Sequence, residues 1–585
     1  MSTDKTSSSI RTYIALALII VLQLGRLVYS FVYLKEDYHS DEIWSYGLSN
    51  SYYEPFIYQN AEHTDFINYK TWFSSQVMRD YLTVDKEHRF SYGSVYYNQV
   101  HDYHPPFYYF ILHTICSFFP GKFSVWYSLS INIFSFICTI YFLYKLVFEV
   151  SHSEKLSLLS CIFYGFSIGA FNTFVFIRIY ALATMISTMY LYFHAKLFYT
   201  EKFKKYLSIL FVVTLIGSLT HHFFIPFAGC VAACFCVYYL IKKKYKKLLI
   251  YSVNMLSSVV ASVLIFPATI DHLFSGRIEE GKYPFMWQIK LATSCMTSEL
   301  FGISISPISK YSFTANLIAV VCILVIISPL AFLFRKEEWF KKALIVIKNT
   351  AVNLVHRLRH ADLMIVSMLI STFGVILLTA LTVSYIYMAQ QMDRYVFIVF
   401  PGMIAAFVMT LNIVLRIIKF RNVANIVLTV ICACFCAMSN MFGPNNYLFF
   451  KEEGAVSVKE YITDSNCIFI SDQFWLMTCF TRLSMDADHL YALTAADLKT
   501  DIKGIDAPPN PEKQLYIYID DNVFYKDYDN VVLEGEMPDM NMGKDQSKKL
   551  TREQFETQLL EKYKMCKMVG FDNMFMRRFL IYKVN

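Results

Sequence analysis

Four charged residues in this sequence are of types that can act together on a phosphate and on a hydroxyl group. Carboxylates stand at Asp41 and Glu42, and guanidinium groups stand at Arg178 and Arg394. A carboxylate within hydrogen-bond reach of a hydroxyl can serve as its general base. A guanidinium can hold a phosphate through two parallel charge-assisted hydrogen bonds. A base that faces such a phosphate clamp suits transfer from a lipid-phosphate donor to a hydroxyl acceptor.

Histidines and tyrosines lie close to these charges in the sequence. They are His104, preceded by His101 and Asp102; Tyr180, near Arg178; the pair His221 and His222; and Tyr395, next to Arg394. Each residue alone has a structural alternative. Asp41 can cap a helix, an arginine can reach the bilayer interface with its head group, and Asp393 can pair with Arg394. Their joint placement is therefore what favours a functional site.

The composition indicates which elements carry these residues. Hydrophobic residues make up 56% of the 585 positions and charged residues only 17%, against about 45–50% and about 25% in ordinary globular chains. Disorder, collagen and coiled coil are excluded by these values. The net charge of +7 is not gathered into a basic domain, so a nucleic-acid partner is not expected. The sequence predicts a polytopic membrane protein.

Eleven apolar segments are predicted to span the membrane, with the N-terminus inside. The first, at 13–34, is interpreted as an anchor and not as a cleaved signal peptide. Residues 105–119 are apolar but bounded by prolines and too short to cross, since a spanning helix needs about 20 residues. They are predicted to lie in the interface. The remaining spans are 122–148, 156–175, 178–199, 206–220, 223–241, 248–268, 313–334, 361–388, 395–415 and 424–442.

The distribution of lysine and arginine supports this topology. The loops placed inside carry most of these residues, among them the run 242–247, whereas the short outside loops carry almost none. Positive charge marks the cytoplasmic side of membrane proteins. All the candidate site residues then lie at the outer surface, although they are far apart in the sequence. Ionisable groups at span ends are costly unless they are paired, hydrated or used.

Two domains are predicted. Residues 1–442 form the transmembrane domain, and its first extracytoplasmic loop, 35–121, is expected to contain helices along the membrane. Residues 443–585 turn polar and are predicted to form a soluble extracytoplasmic α/β domain, with strands at 468–471, 515–519 and 579–584. Thr551 and Gln554 match a capping box at the start of a helix. The fold class is therefore mainly α with a C-terminal α/β domain.

Five motifs in order resemble those of the GT-C glycosyltransferases, in particular the glycosyltransferase family 39-like bacterial relatives of protein O-mannosyltransferases and of the lipid A aminoarabinose transferase. The stretch from Tyr38 to Trp44 (YHSDEIW) resembles the acidic motif of their first external loop. The others are HPPFYY from His104, RIYAL from Arg178, THHF from Thr220, and RYV from Arg394 followed by Pro401. The resemblance covers about residues 13–420.

The resemblance implies a GT-C fold, a polyprenyl-phosphate-linked sugar donor and an inverting reaction. It implies that Asp41 is the general base or orients the acceptor; Glu42, the next residue of the same motif, is a second catalytic candidate. Arg178 and Arg394 would bind the donor phosphate, and the substrate cavity would be lined by His104, Tyr180, His221, His222 and Tyr395. Many relatives have an acidic residue just before the position of Arg178, where this chain has Phe176 and Ile177. A divalent cation at the site is therefore left open.

The expected activity is transfer of a hexose or pentose to a lipid, glycan or protein hydroxyl at the extracytoplasmic face of a cell membrane, with a bacterial plasma membrane favoured. Two alternatives stay open. One is a glycan polymerase or ligase that uses a polyprenyl-pyrophosphate donor. The other is a lipid or solute transporter without covalent chemistry, for which ionisable residues near the membrane midplane would be typical.

Overall fold

The structure, a computed structural model of the chain, divides into two compact units. The helical unit comprises Met1–Leu27, Asn132–Phe174 and Ile179–Asn446, and the mixed unit comprises Val28–Ile131, Val175–Arg178 and Tyr447–Asn585. The residues described are 2–57, 70–274, 285–303, 362–382, 392–417, 424–456, 461–471, 477–494, 504–524, 551–563, 566–574 and 577–584. The predicted span at 313–334 lies outside them.

Helices dominate the described residues, as the sequence predicts. In the first part of the chain they are α1 (Ser2–Tyr33), α2 (Ser40–Asn50), α3 (Gln76–Leu82), α4 (Tyr92–His101), α5 (Phe107–Ser117), α6 (Val125–Ser151), α7 (Glu154–Phe166), α8 (Ile168–Val175) and α9 (Tyr180–Tyr199). They continue with α10 (Phe203–Ser218), α11 (Phe224–Ile241), α12 (Tyr245–Ile265), α13 (Ala268–Phe274), α14 (Phe285–Phe301), α15 (Leu363–Thr382), α16 (Phe400–Ile417), α17 (Ala424–Phe442), α18 (Met477–Ser484) and α19 (Arg552–Lys562).

Seven stretches of the described helices are long and apolar enough to cross a membrane. They are Ile10–Tyr33, Val125–Ser151, Phe224–Ile241, Tyr245–Ile265, Leu363–Leu381, Phe397–Arg416 and Ala424–Phe442. The predicted mainly helical membrane protein is thus confirmed. The count of eleven spans and the inside position of the N-terminus stay predictions.

The predicted span at 156–175 is broken into α7 and α8, which meet at an angle of 60°. Ser167 is the residue at the break and has an extended backbone. Its hydroxyl donates to the carbonyl of Tyr164 at 2.6 Å and accepts from the amide of Ala170 at 3.2 Å. A serine that caps the second helix in this way competes with continuation of the first, and hydropathy alone does not reveal the bend.

The proline-bounded segment forms the short helix α5, of 11 residues. At 1.5 Å per residue it is about 17 Å long, roughly half of a hydrocarbon core of about 30 Å. Tyr108, Tyr109 and Leu112 of this helix are fully buried within the mixed unit. The prediction that this segment does not span the membrane agrees with its length.

A six-stranded sheet forms the core of the mixed unit. Its strands are β1 (Trp72–Ser74), β2 (Asn466–Ser471), β3 (His489–Thr494), β4 (Leu515–Asp520), β5 (Cys566–Met574) and β6 (Arg577–Val584), in the order β1-β3-β2-β4-β6-β5. Strand β2 runs parallel to β3 and β4, and the other neighbouring pairs are antiparallel. The predicted C-terminal α/β arrangement is confirmed, and β2, β4 and β6 contain the three strands that the sequence predicts.

Helix α19 covers one face of this sheet. It begins after the predicted capping box, in which the Thr551 hydroxyl accepts from the Gln554 amide and the Gln554 side chain accepts from the Thr551 amide. Phe555 and Leu559 of this helix are buried against the sheet residues Ile468, Ile470, Ile517, Ile519, Leu580 and Tyr582. The amphipathic pattern of the helix is what places these two side chains in the core.

The first loop contributes strand β1 to the C-terminal sheet. Trp72 is paired with Tyr491 of β3, their rings are 5.3 Å apart, and the Trp72 indole N–H donates to the carbonyl of Asp506 at 2.9 Å. The division of the structure therefore differs from the predicted boundary near residue 443, which assigns residues 35–121 to the transmembrane domain. Pairing between segments so distant in sequence leaves no local signal.

Candidate active site

Helix α2 presents two carboxylates in its first turn. The N-cap is His39, whose Nδ1 accepts from the amide of Asp41 at 2.9 Å. Asp41 is therefore not the helix cap, which was the structural alternative for this residue. Negative charge in the first turn is favoured by the helix dipole and by the free backbone N–H groups there.

Asp41 forms an ion pair with Arg178 within the mixed unit. The distance from Asp41 Oδ2 to the nearer guanidinium nitrogen is 2.8 Å, and the side chains are 15% and 4% exposed, respectively. Arg178 lies in the short connection between α8 and α9. The structure thus brings together the two residues that the sequence assigns to base and phosphate clamp.

His104 and Asp102 complete a cluster of four residues around this ion pair. The His104 Nδ1 lies 2.7 Å from Asp102 Oδ2, and its Nε2 lies 3.3 Å from a guanidinium nitrogen of Arg178. The sequence analysis assigns no role to Asp102, which it names only as a neighbour of His104. The sequence contains a signal for this contact, since Asp102 stands two positions before His104, and His104 is followed by two prolines.

Charge and burial set the protonation of this pair. Burial lowers the pKa of His104 below its usual value; the Asp102 carboxylate opposes that shift and the Arg178 charge adds to it. Burial alone would raise the pKa of Asp102, but the hydrogen bond of His104 and the charge of Arg178 lower it. The imidazole is therefore kept neutral near neutral pH, with an ionised carboxylate on one side.

Glu42 occupies a different environment from Asp41. Its side chain is fully buried and forms an ion pair with Lys35, with Oε1 2.7 Å from the ammonium group. The carboxylate also accepts from the amides of Ile177 at 2.9 Å and His39 at 2.8 Å. This geometry argues against the predicted catalytic role of Glu42, because its oxygens are already occupied and are closed off from any substrate.

The two residues before Arg178 are used for packing and for backbone bonding. Phe176 stacks on Tyr447 with ring centroids 4.4 Å apart and meets the His39 ring edge-on at 5.5 Å. Ile177 gives its amide to Glu42. These two residues therefore fix the connection before Arg178 through an aromatic contact and a backbone hydrogen bond.

The C-terminal segment also contributes to the surroundings of α2. Arg482 of α18 lies over the ring of Tyr38 at 4.6 Å and 3.9 Å from a carboxylate oxygen of Asp37. Asp37 and Tyr38 immediately precede the acidic motif. The C-terminal segment therefore supports the loop that carries Asp41.

A second group of predicted residues forms within the helical unit. The rings of Tyr180 and His221 are 5.2 Å apart, and those of Tyr180 and Tyr395 are 6.5 Å apart. The Arg394 guanidinium lies 5.2 Å from the centre of the Tyr395 ring and donates to the Tyr395 hydroxyl at 3.3 Å. Phe223 packs against Tyr395 at 5.2 Å. Aromatic walls and one guanidinium are suited to a phosphate or sugar ligand.

His222 points into different surroundings from His221. Its ring meets that of His272 in α13 edge-on at 5.6 Å, whereas the His221 Nδ1 accepts from the amide of Phe223 at 3.1 Å. Asp393 is fully buried, accepts from the Arg394 amide at 2.9 Å and accepts from Asn446 at 2.8 Å. The contacts of Asp393 are those of a structural residue that shapes the turn before Arg394.

The sequence alone does not decide whether the site binds a divalent cation. Within the described ranges, no group of three or more His, Cys, Asp or Glu side chains is arranged to hold a metal ion.

Comparisons with known proteins give structural likenesses only. No protein-family model matches the chain, and no curated protein matches it. Two solved structures of ArnT from Cupriavidus metallidurans are similar over 97% of both chains: the apo state has 10% identity and a TM-score of 0.46, and the form bound to undecaprenyl phosphate has 9% and 0.45. The Archaeoglobus fulgidus oligosaccharyltransferase in complex with Zn and sulfate has 10% identity and a TM-score of 0.41, over 86% of this chain and 68% of that one. Likenesses at this level say nothing about which reaction this chain performs.

Proposed function

We propose that this protein is a membrane glycosyltransferase that transfers a sugar from a polyprenyl-phosphate donor to a hydroxyl acceptor on the extracytoplasmic face. The observation that carries the proposal is the cluster of Asp41, Arg178, His104 and Asp102. It holds a carboxylate 2.8 Å from a guanidinium, with the His104 imidazole 3.3 Å from the same guanidinium group. The order of the sequence motifs supports the same reading.

The proposed reaction assigns one task to each charged group. The acceptor hydroxyl gives its proton to Asp41 while its oxygen attacks the anomeric carbon of the donor sugar. The bond between that carbon and the phosphate oxygen breaks, and the lipid phosphate leaves with the electron pair. Arg178 balances the charge that develops on the leaving phosphate. Attack from the face opposite the phosphate inverts the configuration at the anomeric carbon.

Asp102 and His104 act as supports in this scheme. The Asp102 carboxylate holds the imidazole through its Nδ1, and one guanidinium nitrogen of Arg178 lies 3.4 Å from Nδ1 and 3.3 Å from Nε2 of the same ring. A neutral histidine there adds no second positive charge that would compete with the guanidinium for Asp41. His104 is 21% exposed and Asp41 is 15% exposed, and these two residues mark the open side of the cluster. The acceptor and donor are proposed to reach the cluster from that side.

The helical-unit group is proposed to bind substrate independently. Arg394 offers a second guanidinium, and Tyr180, His221 and Tyr395 offer aromatic surfaces. Their tests are separate from those of the Asp41 cluster.

The test is donor consumption by the purified protein. A panel of undecaprenyl-phosphate-linked hexoses and pentoses is incubated with the protein and a membrane extract as the acceptor pool, and released undecaprenyl phosphate is measured by mass spectrometry. Arg178→Gln should lower the rate by about 100-fold or more, since loss of one preorganised donor to a developing charge costs about that much. Arg178→Lys, which keeps the charge, should lose less.

The matched control is Arg79→Gln, which removes a 43% exposed arginine of the same unit that pairs with Asp486. It should leave the rate unchanged. A folded Arg178→Gln protein with the wild-type rate would contradict the proposal, and so would a wild-type protein that consumes none of the donors.

A further inference from the structure

Lys35 joins three distant segments of the mixed unit at one buried point. Its ammonium group lies 2.7 and 3.0 Å from the two carboxylate oxygens of Glu42. It also donates to the carbonyls of Tyr447 at 3.0 Å and Val175 at 3.4 Å. These partners satisfy the three N–H donors of an ammonium group. The lysine therefore ties the end of α1 to α2, to the connection before Arg178 and to the start of the C-terminal segment.

Glu42 is the other half of the buried ion pair with Lys35, which we call the lock, and all of its hydrogen-bonding positions are occupied. Oε1 accepts from Lys35 and the Ile177 amide, and Oε2 accepts from Lys35 and the His39 amide. A carboxylate has about four lone-pair positions, so four donors fill them. Glu42 has no capacity left with which to take a proton from an acceptor.

The lock lies directly beside the ion pair of the proposed reaction. Asp41 and Glu42 are neighbours in α2, and Ile177 and Arg178 are neighbours in the opposite connection. One contact joins Glu42 to the Ile177 amide at 2.9 Å, and the next joins Asp41 to the Arg178 guanidinium at 2.8 Å. The two contacts form adjacent rungs between the same two pieces of chain. The first rung is buried and fixed, and the second faces the open side.

We infer that Lys35 and Glu42 are positioning residues, which act by holding Arg178 at a fixed place opposite Asp41. Net stability is a poor reason for such a pair, because removing two charges from water offsets much of their attraction. Both groups feel this cost: burial lowers the pKa of Lys35 and raises that of Glu42, and each opposes the shift in the other. A buried pair of this kind is worth its cost when it fixes a geometry. The inference rests on the proposed function for its catalytic consequence but not for its structural one.

The test variant is Glu42→Asp. It keeps the charge that pairs with Lys35, but its carboxylate is one methylene shorter and cannot also reach the Ile177 amide. The matched control is Glu36→Asp, the same truncation at an exposed residue whose carboxylate accepts from the Lys451 amide. The neutral double variant Lys35→Met with Glu42→Gln serves as a second probe should the aspartate variant not fold.

Three quantities are measured on the detergent-purified full chain. Hydrogen–deuterium exchange of peptides covering residues 175–178 should show at least about tenfold faster exchange in Glu42→Asp and no change in Glu36→Asp. The turnover number per folded molecule should fall by about tenfold or more, because small misplacements of reacting groups are costly. The apparent Tm should stay within a few degrees, so that loss of folded protein does not explain the change.

Each outcome decides the inference. Unchanged exchange at residues 175–178 overturns it, because Glu42 would then not hold that connection. Faster exchange with an unchanged turnover number per folded molecule also overturns it, because the lock would then be structural only. If the wild-type protein consumes no donor, the proposed function fails, and the exchange measurement alone still decides whether Glu42 fixes the Arg178 connection.

Discussion

Replacing Asp41 by asparagine should move lipid-phosphate binding and sugar transfer in opposite directions. The Arg178 guanidinium lies 2.8 Å from the Asp41 carboxylate. A phosphate bound on the other side of this guanidinium would lie about 6 Å from the Asp41 carboxylate. Its charge would be repelled by Asp41 even while it is attracted by Arg178. Asparagine removes the repulsion and frees the guanidinium.

The expected size follows from Coulomb's law. At about 6 Å, two unit charges repel by about 0.7 kcal/mol in bulk water and by about 2.8 kcal/mol at an effective dielectric constant near 20. Since 1.4 kcal/mol is a factor of ten, Asp41→Asn should lower the Kd for undecaprenyl phosphate by about threefold to about a hundredfold. Transfer should nevertheless fall by about 10²- to 10⁴-fold, the usual contribution of a general base.

The Kd for undecaprenyl phosphate is measured by titrating the lipid into the detergent-solubilised protein. The donor-consumption assay is run on the same preparations. Asp80→Asn is the matched control, since Asp80 is an exposed acidic residue of the same unit that accepts from Gln76. An Asp41→Asn protein that binds the lipid more weakly and also transfers slowly would refute the reasoning, because it would show that the carboxylate only supports the fold of the site.

Three further predictions concern His104, Trp72 and Arg394. His104→Gln should reduce the fall in apparent Tm between pH 7 and pH 5. Because the pKa of His104 in the folded protein lies below its ordinary 6.5, the unfolded chain binds the proton first, and the stability of the wild-type protein falls as the pH drops through that window. Parallel curves of Tm against pH for the two proteins would contradict this. Trp72→Ala should destabilise the pairing of β1 with β3 by about 2 kcal/mol, because the contact with Tyr491 and the indole hydrogen bond are lost. Limited proteolysis at the first loop should then be faster. Unchanged proteolysis would mean that β1 is not held at the edge of β3. Arg394→Gln should raise the Kd for undecaprenyl phosphate by about tenfold, as expected for one hydrogen bond to a charged group. Tyr395→Phe should leave this Kd nearly unchanged. Equal effects of the two substitutions would show that packing, and not the guanidinium, determines lipid binding here.

The parts of the fold that follow from local patterns were predictable. The short helix α5 is marked in the sequence by prolines on one side and Pro120 with Gly121 on the other. Helix α19 is marked by its capping box. Strands β2, β4 and β6 are apolar runs that need no knowledge of their partners. In each case the signal and the structure concern the same few residues.

The parts of the fold that depend on partners distant in the sequence were not predictable. Strand β1 has three residues, and only the edge of β3 makes it a strand. At the break, the Ser167 hydroxyl bonds to the last turn of α7 and to the first turn of α8. Neither feature alters hydropathy, so neither could be read from a hydrophobic pattern.

The candidate site shows the same division. Asp41 and Arg178 could be grouped because their residue types suit one reaction and their motifs stand in a familiar order. The pairing of Glu42 with Lys35 could not be predicted, since a lysine at the end of an apolar helix is normally interpreted as an interface anchor. The sequence suggests two acidic reacting groups, whereas the structure places a 15% exposed Asp41 beside Arg178 and buries Glu42 against Lys35.

The most direct test of the central claim is a structure of the protein with undecaprenyl phosphate bound. Density for the phosphate is expected within hydrogen-bond distance of the Arg178 guanidinium, on the side of the guanidinium away from Asp41. A well-ordered phosphate bound elsewhere, with the ion pair between Asp41 and Arg178 undisturbed, would contradict it.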